Sequence, residues 1–206
     1  MLSLKDGWKR KILTVLTSAL SSTVITQDLI EFISSPTSEA MKVGDMQIES
    51  YHMIGLALIE TLTKEAIGLG EISTTSAKYL SNALAGTALS EAQSRTNVPE
   101  DSLSRASSVF RRVQTALSQL AHASIKNTVA FEDPLSLNSD VFYLTAGRYD
   151  SSQFVDLPLH SNSALNQGLV VSAGSCKTVC KIFGLISDSI AASVGLNSSS
   201  SLLLIS

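Results

Sequence analysis

PEDSLSRASSVFRRVQTALSQLAHASIKNTVAFEDP, residues 99–134, contains the change of period that decides the fold. Leu103, Ala106, Phe110, Val113, Leu117 and Leu120 recur three and four residues apart, which lines one face of a helix. Pro99, Glu100 and Asp101 favour a helix start there, because proline has its φ preset and carboxylates stabilise the positive end of the dipole. After Lys126 the helical spacing stops. Asn127-Thr-Val-Ala-Phe131 predicts a strand, and Glu132-Asp-Pro134 a turn.

Upstream of this stretch the pattern is helical. Ile12, Val15, Leu16, Ala19 and Leu20 mark an amphipathic first helix; Lys5, Lys9, Arg10 and Lys11 before them loosely mimic a signal peptide, but the short, Thr-rich apolar run fits the helix better. Thr26 predicts the cap of a second helix with Asp28 and Glu31 in its first turns, Leu29, Ile30 and Ile33 facing inward, and an end at Ser35-Pro36. A third begins near Asp45, buries Ile48, Tyr51, Ile54, Leu58 and Leu62, and ends at Gly68-Leu-Gly70. The fourth starts at Ser73 or Thr74 and carries Ala77, Leu80, Leu84 and Ala88.

Downstream, strands become the rule. Val141–Thr145, Phe154–Leu157, Leu169–Ser172, Val179–Phe183 and Leu202–Ile205 are short and β-favouring, and Gly, Asn, Ser and Pro clusters separate them. Phe142 and Leu144 are expected to point inward, with Tyr143 and Thr145 outward. The expectation is an α+β chain: a helical bundle over residues 1–126, then a short-stranded, incomplete β-sandwich over residues 127–206. Leu202–Ile205 reads as an apolar strand with no partner, so further strands and membrane spans are expected beyond Ser206.

Composition narrows the function. At 206 residues the chain can bury a substantial core. A net charge of −3, with 15 Lys and Arg spread along the chain, gives no footprint for phosphate backbones, which argues against nucleic acid. No apolar run reaches the ~20 residues of a membrane span. Cys176 and Cys180 lack a nearby His to complete a metal set; a small disulfide across a hairpin and two half-buried thiols both remain open. Asn197-Ser-Ser is a glycosylation sequon.

No assembled active site is legible. His52, beside the apolar stripe of the third helix, and His122, near the end of the fifth, read as surface or half-buried structural histidines. His160 precedes Ser161, and a neighbouring His and hydroxyl can shift an acyl group from N to O, but the Pro, Ser and Asn around them describe a turn. Gly168–Gly174 lacks the lysine and spacing of a phosphate loop. The sequence implies no catalytic residue, no metal and no cofactor.

The stretch from Leu117-Ser-Gln-Leu120 through Glu132-Asp-Pro134 and Asp140-Val-Phe-Tyr-Leu-Thr-Ala-Gly-Arg148 to Leu157-Pro158 resembles the juxtamembrane region of polycystin-like and egg-jelly-receptor-like proteins. In those families a helical subdomain precedes a β-sandwich, together the GAIN (autoproteolysis-inducing) domain. The resemblance implies a non-catalytic extracellular glycoprotein module of a membrane receptor or channel that supports adhesion or force transmission. Its partners would be a protein or glycan ligand, or the remainder of its own membrane protein. Self-cleaving members carry a Cys- and Trp-containing motif ending in His-Leu before a Thr or Ser nucleophile; this chain has none after residue 160, and its single Trp is Trp8, so self-cleavage is not implied. A cytosolic helical protein-interaction module is the alternative.

Overall fold

The computed structural model describes residues 4–42, 49–94, 103–130, 132–139, 141–150, 157–158, 170–171, 179–187 and 202–205. Among these residues five helices, α1 (Leu4–Ser22), α2 (Gln27–Met41), α3 (Glu49–Leu69), α4 (Thr74–Ser94) and α5 (Leu103–Ile125), precede six strands. These are β1 (Leu135–Asn138), β2 (Phe142–Asp150), β3 (Leu157–Pro158), β4 (Val170–Val171), β5 (Val179–Ser187) and β6 (Leu202–Ile205), the last four described by their backbone. The chain is α+β with its element types segregated.

Local chemistry accounts for the helix ends. Thr26 caps α2, its hydroxyl oxygen accepting the Leu29 N–H at 3.3 Å. Ser73 does the same for α4, accepting the Ser76 N–H at 3.1 Å. Gly70, at φ 91°, closes α3 in the left-handed conformation, and its N–H donates to the Ala66 carbonyl at 2.9 Å.

Pro36 does not end the second helix as expected. It lies inside α2, which runs on to Met41. An interior proline removes one backbone bond and costs about 3 kcal/mol. Here the turn beyond it buries Thr37, Ser38, Ala40 and Met41, and burial of a Met side chain alone contributes ~1.5–3 kcal/mol in the opposite direction. Met41 packs against Gly55 of α3, where a Cβ would overlap its thioether, so the glycine sets how closely α2 and α3 approach.

The expected inward residues of α3, α4 and α5 are largely the buried ones: Tyr51, Leu58 and Leu62; Ala77, Leu80, Leu84 and Ala88; Phe110, Val113, Leu117 and Leu120. Ile54 is half-buried, and Asp45 and Ile48 lie outside the described residues. In α1 the stripe is turned: Leu13, absent from the expected face, is fully buried, whereas Val15 is 65% exposed. As an outer helix packed on α2 and α3, α1 has few inward positions.

Residues 127–130 are not a strand. Thr128 donates its hydroxyl to the Ile125 carbonyl at 3.0 Å, capping α5, and Val129 N–H donates to the Glu132 carboxylate at 3.1 Å, closing a turn. The β propensity of Thr-Val yields to these local bonds because no described strand pairs with the segment; Phe131 lies outside the described residues.

The first strand is instead β1, joined to β2 by a tight hairpin in which the Ser139 hydroxyl accepts from Phe142 N–H at 3.1 Å. A four-stranded antiparallel sheet has the order β1-β2-β5-β6, and β3 and β4 form a separate two-stranded ribbon. Leu202–Ile205 therefore has a partner, contrary to expectation: β6 pairs with β5, Leu202 opposite Leu185. No face-to-face pair of sheets is described among these residues.

Leu137, Phe142, Leu144 and Ala146 point into the same buried cluster as the helix residues, so the core runs unbroken across residue 127. Thr145, expected outward, is only 4% exposed, and Tyr149, on the same side of β2, is buried without joining that cluster. Alternation along the strand places the two on the face away from the helices, so β2 is covered on both faces. The side chain of Tyr143 lies outside the described residues.

Candidate functional site

Where the helices meet the sheet, α4, the end of α5, the turn at 132–134 and the β1–β2 hairpin enclose a cleft of about 400 Å³. Ile72, Ile125 and Ala146, all buried, make its apolar floor. Lys78 and Arg148 are its cations, and Glu132 and Asp133 its carboxylates. Thr74, Ser124 and Thr128 add hydroxyl groups to the wall.

Each charged group has a definite origin. Arg148 follows Leu144 and Ala146 at alternate positions of β2, and at that end of the strand its guanidinium donates to the Thr128 carbonyl at 2.9 Å. The bond joins the sheet to the turn that leaves α5. Glu132 is held to the same turn through the Val129 N–H. Lys78 projects from α4 one turn after the capped start; its carbonyl accepts from the Ser81 hydroxyl at 3.0 Å, and its ammonium has no hydrogen bond or ion pair among the described residues.

Beside the cleft, directional bonds tie α3 to α5. Arg112 grips Glu60 with two parallel bonds of 2.7 and 2.6 Å. The carboxylate raises the Arg112 pKa, chiefly through that hydrogen bonding and in part through its charge. Thr63 donates to the Gln119 side chain at 3.0 Å, and Lys126 donates to the Ile67 carbonyl at 2.7 Å.

The histidines do not share this place. His52 is buried, 5% exposed, at the opposite end of α3, where sequence spacing suggested a surface or half-buried position. Its ring lies 4.1 Å from that of Tyr51, tilted by 58°. Neither ring nitrogen has a hydrogen-bond partner among the described residues. Desolvation by burial, and secondarily the charge of Lys9, lowers its pKa to about 4. Lys9 stands 5.5 Å over the Tyr51 ring and donates to the Lys42 carbonyl at 2.9 Å. His122 is half-buried on α5.

His160, Ser161, Cys176 and Asn197 lie outside the described residues; Cys180 sits in β5 opposite Tyr149. Of Gly168–Gly174 only strand β4 is described. Among the described residues no cluster of three or more His, Cys, Asp or Glu is placed to hold a metal. No described helix is long and apolar enough to cross a membrane.

Sequence reasoning picked out Glu132–Pro134 and Arg148 as matched features without placing them in one cleft. Their approach depends on the β1–β2 register and on the turn after α5. Lys78 carried no signal, being an ordinary exposed position on a helix. Comparison with protein-family models and with curated proteins finds no match to this chain.

Proposed function

We propose that the chain is a non-catalytic extracellular module of a polycystin-like membrane receptor or channel, in which the helical bundle and the sheet pass force or adhesion contacts to one another. The observation that carries this reading is the joint. A single buried core crosses residue 127, and the Arg148 bond to the Thr128 carbonyl fastens the sheet to the exit of α5. Such a joint loads both halves together. The burial of Thr145 and Tyr149 on the side of β2 away from the helices is what a second β layer would produce, which supports a sandwich.

Pulling single molecules by handles at the start of α1 and the end of β6 tests the mechanical role. One cooperative rupture of helices and sheet together is expected; separate rupture of the sheet at low force, with the bundle intact, would overturn it. Secretion from a eukaryotic host with glycan on Asn197 is the matching expectation for location. Exposed Trp8 and Phe32, 59% and 74% accessible on α1 and α2, favour the alternative of a cytosolic helical interaction module. An unglycosylated Asn197 in the secreted chain would favour it further.

A further inference from the structure

We propose that the cleft at the helix–sheet joint binds a monoanionic carboxylate, with Arg148 and Lys78 as its anchors. Arg148 spends one bond on the Thr128 carbonyl, which restrains the guanidinium, and has no other partner among the described residues. A guanidinium carries five N–H donors in a fork that matches the two oxygens of a carboxylate. A fork already held in place loses little freedom on binding. Lys78, without an ion pair among the described residues, lines the same cleft and supplies a second positive charge.

The carboxylates set the size of the charge. Lys78 and Arg148 are balanced by Glu132 and Asp133 in the same lining, so a dianion such as phosphate meets more repulsion than a single carboxylate does. The floor of Ile72, Ile125 and Ala146 takes the aliphatic part of the ligand, which suits a Glu side chain or a small free acid. Peptide and free acid present the same chemistry and are separated by experiment.

The test is titration of the purified chain, followed by NMR, with four probes: an acetylated and amidated Ala-Glu-Ala-Ala peptide, its Gln counterpart, glutarate monoamide and inorganic phosphate. The Glu peptide or the monoamide is expected to bind saturably, at least tenfold tighter than the Gln peptide and phosphate, and more weakly in high salt. Tighter binding of the peptide assigns the source to a protein segment, and tighter binding of the monoamide to a small acid. Lys78→Glu, at an exposed position whose side chain has no bond among the described residues, is expected to weaken binding at least tenfold with an unchanged fold. Arg148→Gln should abolish binding, with circular dichroism checking that the fold survives. Equal binding of Glu and Gln peptides, preference for phosphate, indifference to Lys78→Glu, or no binding at millimolar concentration would each overturn the proposal. A secreted, cooperatively rupturing chain that binds none of the probes would remove this site and leave the mechanical role standing.

Discussion

In its C-terminal half α3 is tied to its surroundings by directional bonds; at its N-terminal end the His52 ring is held by packing, with no hydrogen bond to a described residue. Glu60, Thr63 and the Ile67 carbonyl bond to Arg112, Gln119 and Lys126. At the other end Gly55 admits Met41, and His52 is enclosed with neither ring nitrogen bonded to a described residue. Directional bonds fix orientation and spend little on desolvation where they stay partly wet; a closed apolar corner gains more from burial and leaves polar atoms stranded. The joint that bears the cleft is therefore specified by geometry. The far corner is specified by volume, and its stability depends on pH.

The largest effect is expected at the joint, because its bonds sit on top of a packed core. Leu144→Ala should cost ~2–5 kcal/mol in urea unfolding, since the side chain is fully buried in the common cluster. Thr145→Ala, on the opposite face, should cost about 1 kcal/mol rather than the few tenths of a surface position, because that face is closed too. A Thr145→Ala variant indistinguishable from wild type would show that β2 is covered on one face only.

How much of this contrast was legible follows from what each feature depends on. Helix existence and most inward positions depend on spacing along the chain, and Leu80, Phe110 and Leu117 were readable for that reason. The cap at Thr26 and the start of the fourth helix at Ser73 or Thr74 were readable because a side chain and the backbone three residues on suffice for a cap. Pro36 was misread because its local cost is outweighed by packing of Ala40 and Met41, which no window around the proline contains. Residues 127–130 were misread because β propensity has little effect without a partner strand, and among the described residues the pairing with β2 is made by β1. The cleft was not legible, since Lys78, Glu132 and Arg148 meet only through tertiary contacts. The burial of His52 depends likewise on α1 and α2 arriving over α3.

The second prediction probes the closed corner. His52 has a pKa near 4 when folded and an ordinary value of 6.5 when the chain is unfolded. Between those values the unfolded chain takes up a proton that the folded chain does not, so protons pull toward unfolding. The stability contributed by the neutral ring is complete above pH 6.5 and is lost as pH falls toward 4, to a total of about 3 kcal/mol. In His52→Leu that part of the pH dependence should vanish while the carboxylates' share remains. Unfolding midpoints at pH 7, 5.5 and 4.5 for both proteins measure it; parallel curves would show that the ring is not enclosed when folded.

The smallest effect belongs to the best-formed bond, and the reason sharpens the contrast. Arg112 and Glu60 meet in a two-bond fork, but their side chains remain 34% and 30% exposed. Water and salt therefore screen the attraction, and ordering two long side chains opposes it, so a double-mutant cycle with Arg112→Met and Glu60→Gln should give a coupling of about 1 kcal/mol. Arg112→Lys keeps the charge and loses the fork, so it should recover less than half of that coupling. The value lies well below the expected loss at Leu144, although the bond is more visible in the structure. Its contribution is to orientation: the fork holds α5 in one rotational setting on α3, and the exit of α5 positions the Thr128 carbonyl for Arg148. Arg112→Lys should thus shift the NMR signals of Thr128 and Arg148 while barely moving the unfolding midpoint. Unmoved signals at those two residues, with a coupling under ~0.2 kcal/mol, would mean that the ties at this end of α3 are incidental and that packing alone sets the joint.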